Sequence, residues 1–258
     1  MHQLTGLYPE LRNCHGTFHP CPRCFDGAWC WTQTADDLRA AGHTVCAVDL
    51  LGAGDDLTPV DQVTLTSATD RVFAALRSQN PAILVGHSMG GIVITQAAAQ
   101  APTLITRLVY LTAFLPQDGQ SLLDLTHLPE AAGGQVEEHL TVSGDPPIGT
   151  FDLTKACEVF YHDVPEDIAQ HAIRKMSPQP LQLFDTPVAL GHAQLPPADY
   201  AICTQDRAIP PPLQRLMAKR AGARLYFLNS GHSPFYAVPH QVLNILNVAA
   251  ESQLRSPG

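Results

Sequence analysis

One serine stands in a pattern that could make it a nucleophile. Gly86-x-Ser88-x-Gly90 places this serine between two glycines, after the apolar run Ile83 to Val85. Apolar residues at helical spacing follow from residue 92, so the pattern predicts a strand, a sharp turn and a helix. In such a turn, a nucleophile elbow, the hydroxyl points away from the strand end, and the glycines let strand and helix approach closely. The alternative interpretation is a structural turn in a loop that contains glycines.

A serine hydroxyl is a weak nucleophile near neutral pH and needs a base, which in turn needs a carboxylate to orient it. His232 follows the last predicted strand, and Asp206 follows the strand before it. Both fall at the same sheet edge as Ser88, in the chain order serine, acid, histidine. Asp185 and Asp199 are rival acids, but the first falls in an inserted region and the second precedes its strand. An ordinary surface histidine is the alternative for the base.

Attack on an ester carbonyl also requires two hydrogen bonds to the oxyanion that forms. The residue after the serine, Met89, stands at the start of the predicted helix, where its N–H has no helical partner. A loop after an early strand usually supplies the second donor. His15-Gly16-Thr17 has the form of this loop, which makes the N–H of Thr17 the second candidate.

The elements that must position these residues alternate along the chain. Hydrophobic patterns predict strands at residues 43–50, 82–86, 107–115, 200–204 and 224–228. They predict helices at 32–41, 64–76, from the serine turn to about 101, 211–221 and 239–252. This order is typical of an α/β fold with a mostly parallel sheet and helices on both faces. Residues 117–188 break the rhythm with short helical pieces, so we interpret them as a cap inserted into a core of residues 1–116 and 189–258.

Composition limits the partners of the chain. Of its 258 residues, 45% are hydrophobic and 15% charged, which is typical of a globular protein. The net charge of −9, without a basic run, disfavours nucleic acid and anionic membranes, and a small neutral or apolar ligand fits better. We see neither a membrane span nor a signal peptide, so the expectation is a cytoplasmic protein. The sequence leaves a homodimer open.

Four of the seven cysteines crowd the N-terminal region beside two histidines. They are Cys14, Cys21, Cys24 and Cys30. A zinc site usually draws four ligands from two Cys-x-x-Cys pairs, whereas this region has one. A metal site and a labile disulfide remain alternatives, and free thiols are the favoured interpretation in a reducing compartment. We expect no metal and no cofactor.

Several stretches together carry a family resemblance. They are Gly-Ala-Trp-Cys-Trp at 27–31, Ala-Gly-His-Thr-Val at 41–45, Gly-His-Ser-Met-Gly-Gly at 86–91, Phe-Leu-Pro at 114–116, Thr-Gln-Asp-Arg-Ala-Ile-Pro at 204–210 and Gly-His-Ser-Pro-Phe at 231–235. From residue 27 to 250 the chain resembles the α/β-hydrolase branch that holds the plant methylesterases, the hydroxynitrile lyases and their bacterial esterase relatives. It departs from them before Gly27, where Pro20 to Asp26 has the form of an insertion.

The resemblance implies an α/β-hydrolase fold with a helical cap over the site. It assigns Ser88, Asp206 and His232 as a catalytic triad, and Met89 and Thr17 as oxyanion donors. The cap would shape an apolar pocket for a small ester. The residues expected to line this pocket are Phe18, Phe114, Tyr161 and Ser233.

The leading hypothesis is therefore a serine carboxylic ester hydrolase that works through an acyl-enzyme. A hydroxynitrile lyase is a second hypothesis. Lyases of this branch use a threonine after the loop histidine and a lysine after the catalytic histidine, whereas this chain has Gly16 and Ser233. A third is a non-catalytic receptor for a small ligand that has kept the same fold, because fold alone does not prove turnover.

Overall fold

The computed structural model describes residues 16–22, 25–77 and 81–254. The strands are β1 (Thr17–Cys21), β2 (Thr44–Val45), β3 (Ala82–Ser88), β4 (Ile105–Ala113), β5 (Leu140–Ser143), β6 (Ile148–Phe151), β7 (Gln179–Pro180), β8 (Ala198–Cys203) and β9 (Arg224–Leu228). The helices are α1 (Thr32–Ala40), α2 (Leu65–Leu76), α3 (Gly90–Gln100), α4 (Leu122–Thr126), α5 (Leu153–Phe160), α6 (Glu166–Lys175), α7 (Gln182–Asp185), α8 (Pro211–Arg220), α9 (Pro234–Ala237) and α10 (Pro239–Leu254).

Six parallel strands form the main sheet, in the order β2-β1-β3-β4-β8-β9. All seven residues of β3 are buried, because helices cover this central strand on both faces. Its apolar run therefore reads as continuous rather than alternating. Parallel strands bring their carboxyl ends to one edge, which collects the loops after β3, β8 and β9.

Helices pack on each face of this sheet and bury two apolar clusters. On one face, Val72 of α2, Val93 of α3 and Met217 of α8 are almost completely buried. On the other face, Leu38 of α1 and Val242 of α10 are buried in the second cluster. Full burial of a side chain of this size contributes about 2 kcal/mol, so these helices are fixed mainly by packing.

The segment between β4 and β8 carries a second sheet. β5, β6 and β7 pair antiparallel there, and helices α4 to α7 surround them in the chain. Acidic side chains in the first turn of α6 and basic ones in its last turn complement the helix dipole. The helical pieces in this segment are confirmed, whereas the sequence pattern did not predict the β5–β6 hairpin.

The start of the sheet differs from the prediction. The first central strand is β1, so Thr17 begins a strand instead of belonging to the loop after one. Of the strand predicted at 43–50, β2 covers two residues, and the N–H groups of Cys46 and Val48 continue the hydrogen bonding to β1 at 3.0 and 3.2 Å. Among the residues that the structure describes, every helix is too short or too polar to cross a lipid bilayer.

Candidate active site

Ser88 is the last residue of β3 and lies in a sharp turn into α3. Its φ is +53°, in the left-handed region that non-glycine residues rarely adopt, and its side chain is largely buried. The N–H of Phe114 donates to the carbonyl oxygen of Ser88 at 3.0 Å, which ties the turn to the end of β4. The surrounding structure therefore holds the serine in a strained conformation, as expected at a nucleophile elbow.

Three glycines make this turn sterically feasible. A Cβ atom on Gly86 would lie 2.8 Å from the Cα of Gly91, so the strand and the helix approach each other without side chains between them. A Cβ on Gly91 would collide with the backbone oxygen of Phe114. A Cβ on Gly90 would lie 2.7 Å from the backbone oxygens of Cys21 and Pro22. The chain that leaves β1 therefore passes directly against the elbow.

Asp206 follows β8 and is saturated with hydrogen bonds. Its Oδ1 accepts the N–H groups of Ala208 at 2.7 Å and Ile209 at 3.0 Å. Its Oδ2 accepts the side-chain amide of Gln214 at 3.2 Å and the hydroxyl of Thr112. Bonds of this kind fix the orientation of the carboxylate.

His232 lies in the loop after β9 and is 1% exposed. Its Nδ1 is 2.8 Å from Oδ2 of Asp206. The carboxylate can only accept, so Nδ1 carries the proton and Nε2 of a neutral ring is an acceptor. This Nε2 is buried and has no hydrogen-bond partner among the described residues. A buried acceptor of this kind is available to take a proton from a nucleophile.

The residue before the serine connects the elbow to this loop. His87 Nε2 lies 2.7 Å from the carbonyl oxygen of His232, and their ring centroids are 4.8 Å apart. A carbonyl only accepts, so His87 donates from Nε2. This bond brings the His232 loop against the residue next to Ser88.

Residues of the inserted segment contact the loops that carry His232 and Asp206. Phe160, at the end of α5, lies 5.6 Å from the ring of His232 between centroids. Arg207, next to Asp206, donates to the carbonyl oxygen of Glu158 at 3.1 Å. The neighbouring His162 is partly buried, and desolvation together with the nearby Arg207 charge lowers its pKa below the usual 6.5.

Two predicted site residues are wrong. Phe18 pairs with Ile83, five residues before Ser88, and Thr17 precedes Phe18 in β1. Strand residues are spaced by about 3.3 Å, so both lie roughly 16 Å or more from the serine, toward the amino edge of the sheet. Phe18 is instead buried against His43, with ring centroids 5.2 Å apart. His15 of the predicted oxyanion loop lies outside the described residues.

The reason for this error is the position of the first strand. The loop that reaches the carboxyl edge follows β1 and passes Gly90 at Cys21 and Pro22. The end of β1 and the residue after it, rather than Thr17, therefore lie beside the elbow. Met89, the other predicted donor, caps the N-terminus of α3 directly after Ser88.

The remaining predicted pocket residues lie near the triad candidates. The backbone N–H of Phe114 donates a hydrogen bond to the carbonyl oxygen of Ser88. Ser233 follows His232, and its buried hydroxyl has no hydrogen-bond partner among the described residues. Tyr161 is buried, with its ring 6.3 Å from that of Phe160 and 6.4 Å from that of Tyr236.

Sequence reasoning missed an aromatic cluster beside this site. Phe25, Phe151 and Phe160 have ring centroids 4.7 to 6.4 Å apart. Phe25 also has a positive φ of 68°, and its N–H donates to the buried Gln179 side chain at 3.2 Å. Phe25 stands two residues before the Gly-Ala-Trp stretch, which is the only signal that could have indicated it.

The cysteine cluster is only partly described. Cys30 is buried, and Cys21 is a buried free thiol whose pKa is raised to about 12 by burial, with a smaller contribution from Cys46. A thiol with such a pKa is unreactive at neutral pH. Cys14 and Cys24 lie outside the described residues. Within the described ranges, no group of three or more histidine, cysteine or acidic side chains could hold a metal ion.

The fold is a parallel sheet with helices on both faces, and at its carboxyl edge Ser88 ends a strand while Asp206 and His232 follow strands. Residues 14–245 match the family model described as the alpha/beta hydrolase family. The chain belongs to the alpha/beta hydrolase family.

Its relatives include named esterases. The chain is 28% identical to methylesterase 18 of Arabidopsis thaliana, over 92% of this chain and 95% of the relative. It is 34% identical to the carbendazim hydrolyzing esterase of Nocardioides sp. (strain SG-4G), over 69% of this chain and 72% of the relative. These similarities support ester hydrolysis at the level of the family.

A solved pyrethroid hydrolase from Sphingobium faniae JZ-2 has the same fold. Its TM-score to this chain is 0.83 at 24% identity, and the match covers 94% of this chain and all of that one. At this identity the likeness establishes the architecture alone.

Proposed function

We propose that this protein is a serine carboxylic ester hydrolase that acts on a small, largely apolar ester through an acyl-enzyme. The observation that carries the proposal is the state of His232. Its Nδ1 is bonded to Asp206 at 2.8 Å, while its buried Nε2 has no partner among the described residues. This is the arrangement that a general base for a serine requires.

In the proposed first step, Nε2 of His232 takes the hydroxyl proton of Ser88 as the serine oxygen attacks the ester carbonyl. The N–H of Met89 stabilises the oxyanion, because it begins a helix and its dipole favours negative charge. Asp206 stabilises the imidazolium and remains ionised. The imidazolium then protonates the departing alcohol, which leaves Ser88 acylated.

The second step repeats this chemistry with water. His232 removes a proton from a water molecule, which attacks the acyl carbonyl. Collapse of the tetrahedral intermediate breaks the bond to Ser88, returns the proton to the serine oxygen and releases a carboxylic acid.

Aromatic walls support an apolar substrate. Phe114 lies at the elbow and Phe160 against His232, and neither brings a charge to the pocket. We propose that residues 117–188 act as the cap over this pocket. The relatives named as a methylesterase and as a carbendazim hydrolyzing esterase are consistent with a small ester.

The test is hydrolysis of p-nitrophenyl acetate and butyrate, with a panel of methyl esters to define the acyl group. Ser88→Ala should lower kcat by roughly a thousandfold or more while the circular dichroism spectrum stays unchanged. Ser143, an exposed serine of the β5–β6 hairpin, provides the control, and Ser143→Ala should keep full activity. Full activity of Ser88→Ala would refute the proposal.

A second measurement identifies the nucleophile directly. Treatment with an aryl phosphonate and peptide mass spectrometry should find the adduct on Ser88 in the wild-type protein and none in Ser88→Ala. An adduct on another serine would contradict the assignment.

A further inference from the structure

The backbone around His232 is held from two opposite sides. On one side, the ring of His87 donates to the carbonyl oxygen of His232 at 2.7 Å. On the other side, the carboxylate Oδ2 of Asp163 accepts the N–H of Gly231 at 2.6 Å. His87 belongs to the elbow, and Asp163 belongs to the inserted segment between α5 and α6. The peptide group before Gly231 and the peptide group after His232 are therefore held by different parts of the molecule.

The contact from the inserted segment is close and specific. A Cβ atom on Gly231 would lie 2.5 Å from Cε1 of His162 and 2.7 Å from Oδ1 of Asp163. A side chain at residue 231 would therefore displace the side chains of His162 and Asp163 from their present positions. A hydrogen bond of 2.6 Å from a backbone N–H to a carboxylate is short and charge-assisted, so it is among the stronger contacts of the loop.

The environment of Asp163 favours a fixed position over a solvated one. Its Oδ1 is buried and has no hydrogen-bond partner among the described residues. A buried carboxylate oxygen without a partner is costly, and the bond from Gly231 partly offsets this cost.

We propose that Asp163 is a positioning residue that makes the catalytic histidine depend on the docked state of the inserted segment. The inference rests on the proposed function. While the segment is docked, Asp163 and His87 hold the His232 backbone, so that Nδ1 faces Asp206. When the segment moves away, the Gly231 N–H loses its acceptor and the histidine loop is held from the His87 side alone. Closure over a substrate thus completes the base.

Two substitutions test the role of the acceptor. Asp163→Ala should lower kcat for p-nitrophenyl butyrate roughly tenfold, because a charge-assisted hydrogen bond is lost, while KM changes less than twofold. Asp163→Asn retains an acceptor oxygen and should recover most of kcat. The matched control is Asp167→Ala, since Asp167 is an exposed carboxylate four residues further on, in the first turn of α6.

A spectroscopic readout separates this proposal from the proposed function. The Nδ1–H proton of His232 between the ring and Asp206 should give a low-field proton resonance in the wild-type protein, which Asp163→Ala broadens or removes and Asp163→Asn retains. An unchanged resonance together with wild-type kcat in Asp163→Ala would overturn the proposal and leave ester hydrolysis standing. Absence of esterase activity in the wild-type protein would instead refute the proposed function, while the resonance would still test the contact.

Discussion

The elbow and the histidine loop reach the same sheet edge by different means. The elbow is built from one continuous stretch, residues 86–91, whose glycines are set against backbone atoms of β1 and β4. The loop of residues 229–234 instead depends on partners from distant stretches, among them His87, Asp163 and Asp206. The turn at Ser88, the proposed nucleophile, thus has glycines that are visible in the local sequence, whereas the contacts that position His232, the proposed base, come from distant residues. Substitutions in the two regions should therefore have different consequences.

The largest effect is expected at the partner of the base. Asp206→Asn should lower kcat roughly a thousandfold or more, because an amide cannot hold the ring in the tautomer that accepts the serine proton. The protein should stay folded, since an amide is close to a carboxylate in size. A kcat within tenfold of wild type, measured on p-nitrophenyl butyrate, would contradict the role of Asp206.

The comparison also explains what the sequence could predict. The elbow was predicted from its glycines and the apolar run before it, and β3 and α3 confirm the strand and helix. The other parallel strands after β2 were predicted within a few residues because each reads as a buried apolar run. The prediction that Thr17 is an oxyanion donor was wrong because it assumed that the His15-Gly16 pair forms the loop after a strand. The pairing of β1 with β2 and β3 decides that position, and pairing is a tertiary contact.

The contacts that support Asp206 and the histidine loop could not be predicted from the sequence for a related reason. Gln214 and Thr112 bond Asp206 from α8 and β4, and their residue types carry no signal for this role. Asp163 lies 68 residues before its partner Gly231. Such contacts follow from the docked arrangement of elements rather than from a local pattern.

A single methyl group should disrupt the elbow. Gly91→Ala places a Cβ against the backbone oxygen of Phe114, so β4 or α3 has to shift. Overpacking of this kind costs about 1–3 kcal/mol, and we expect a lower free energy of unfolding in urea together with a loss of esterase activity. Gly119→Ala is the control, because its Cβ meets no atom within 4 Å even though its φ is +75°. That variant should keep its kcat. An equal loss of kcat in Gly91→Ala and Gly119→Ala would argue against the close approach at the elbow.

Loss of the hydrogen bond between His87 and the His232 loop should have a smaller effect on kcat. His87→Ala removes the donor to the His232 carbonyl and should lower kcat about tenfold, as expected for one hydrogen bond. His87→Gln can place an amide N–H near the same position and should retain more activity. Measurement of both at a temperature where each is folded tests the link, and identical kcat values for the two variants would count against it.

The smallest expected effect is a pH dependence of stability from His162. Burial and Arg207 lower its folded pKa below 6.5, so the unfolded chain binds a proton more readily. Its contribution to stability is therefore present above about pH 6.5 and is lost as the pH falls toward the folded pKa. His162→Gln should flatten the dependence of the free energy of unfolding on pH, measured by urea unfolding between pH 5 and 8. A curve of unchanged slope would assign the dependence to other groups.

The glycine contacts around Ser88 also restrict how this protein can diversify. Backbone atoms occupy the space that a side chain at residues 86, 90 or 91 would need. In the proposed enzyme, changes of substrate preference should therefore come from residues outside this turn, such as Phe160, whose ring lies 5.6 Å from that of His232. Asp163, in the same inserted segment as Phe160, accepts the N–H of Gly231, so substitutions there should alter the proposed base and the proposed pocket together.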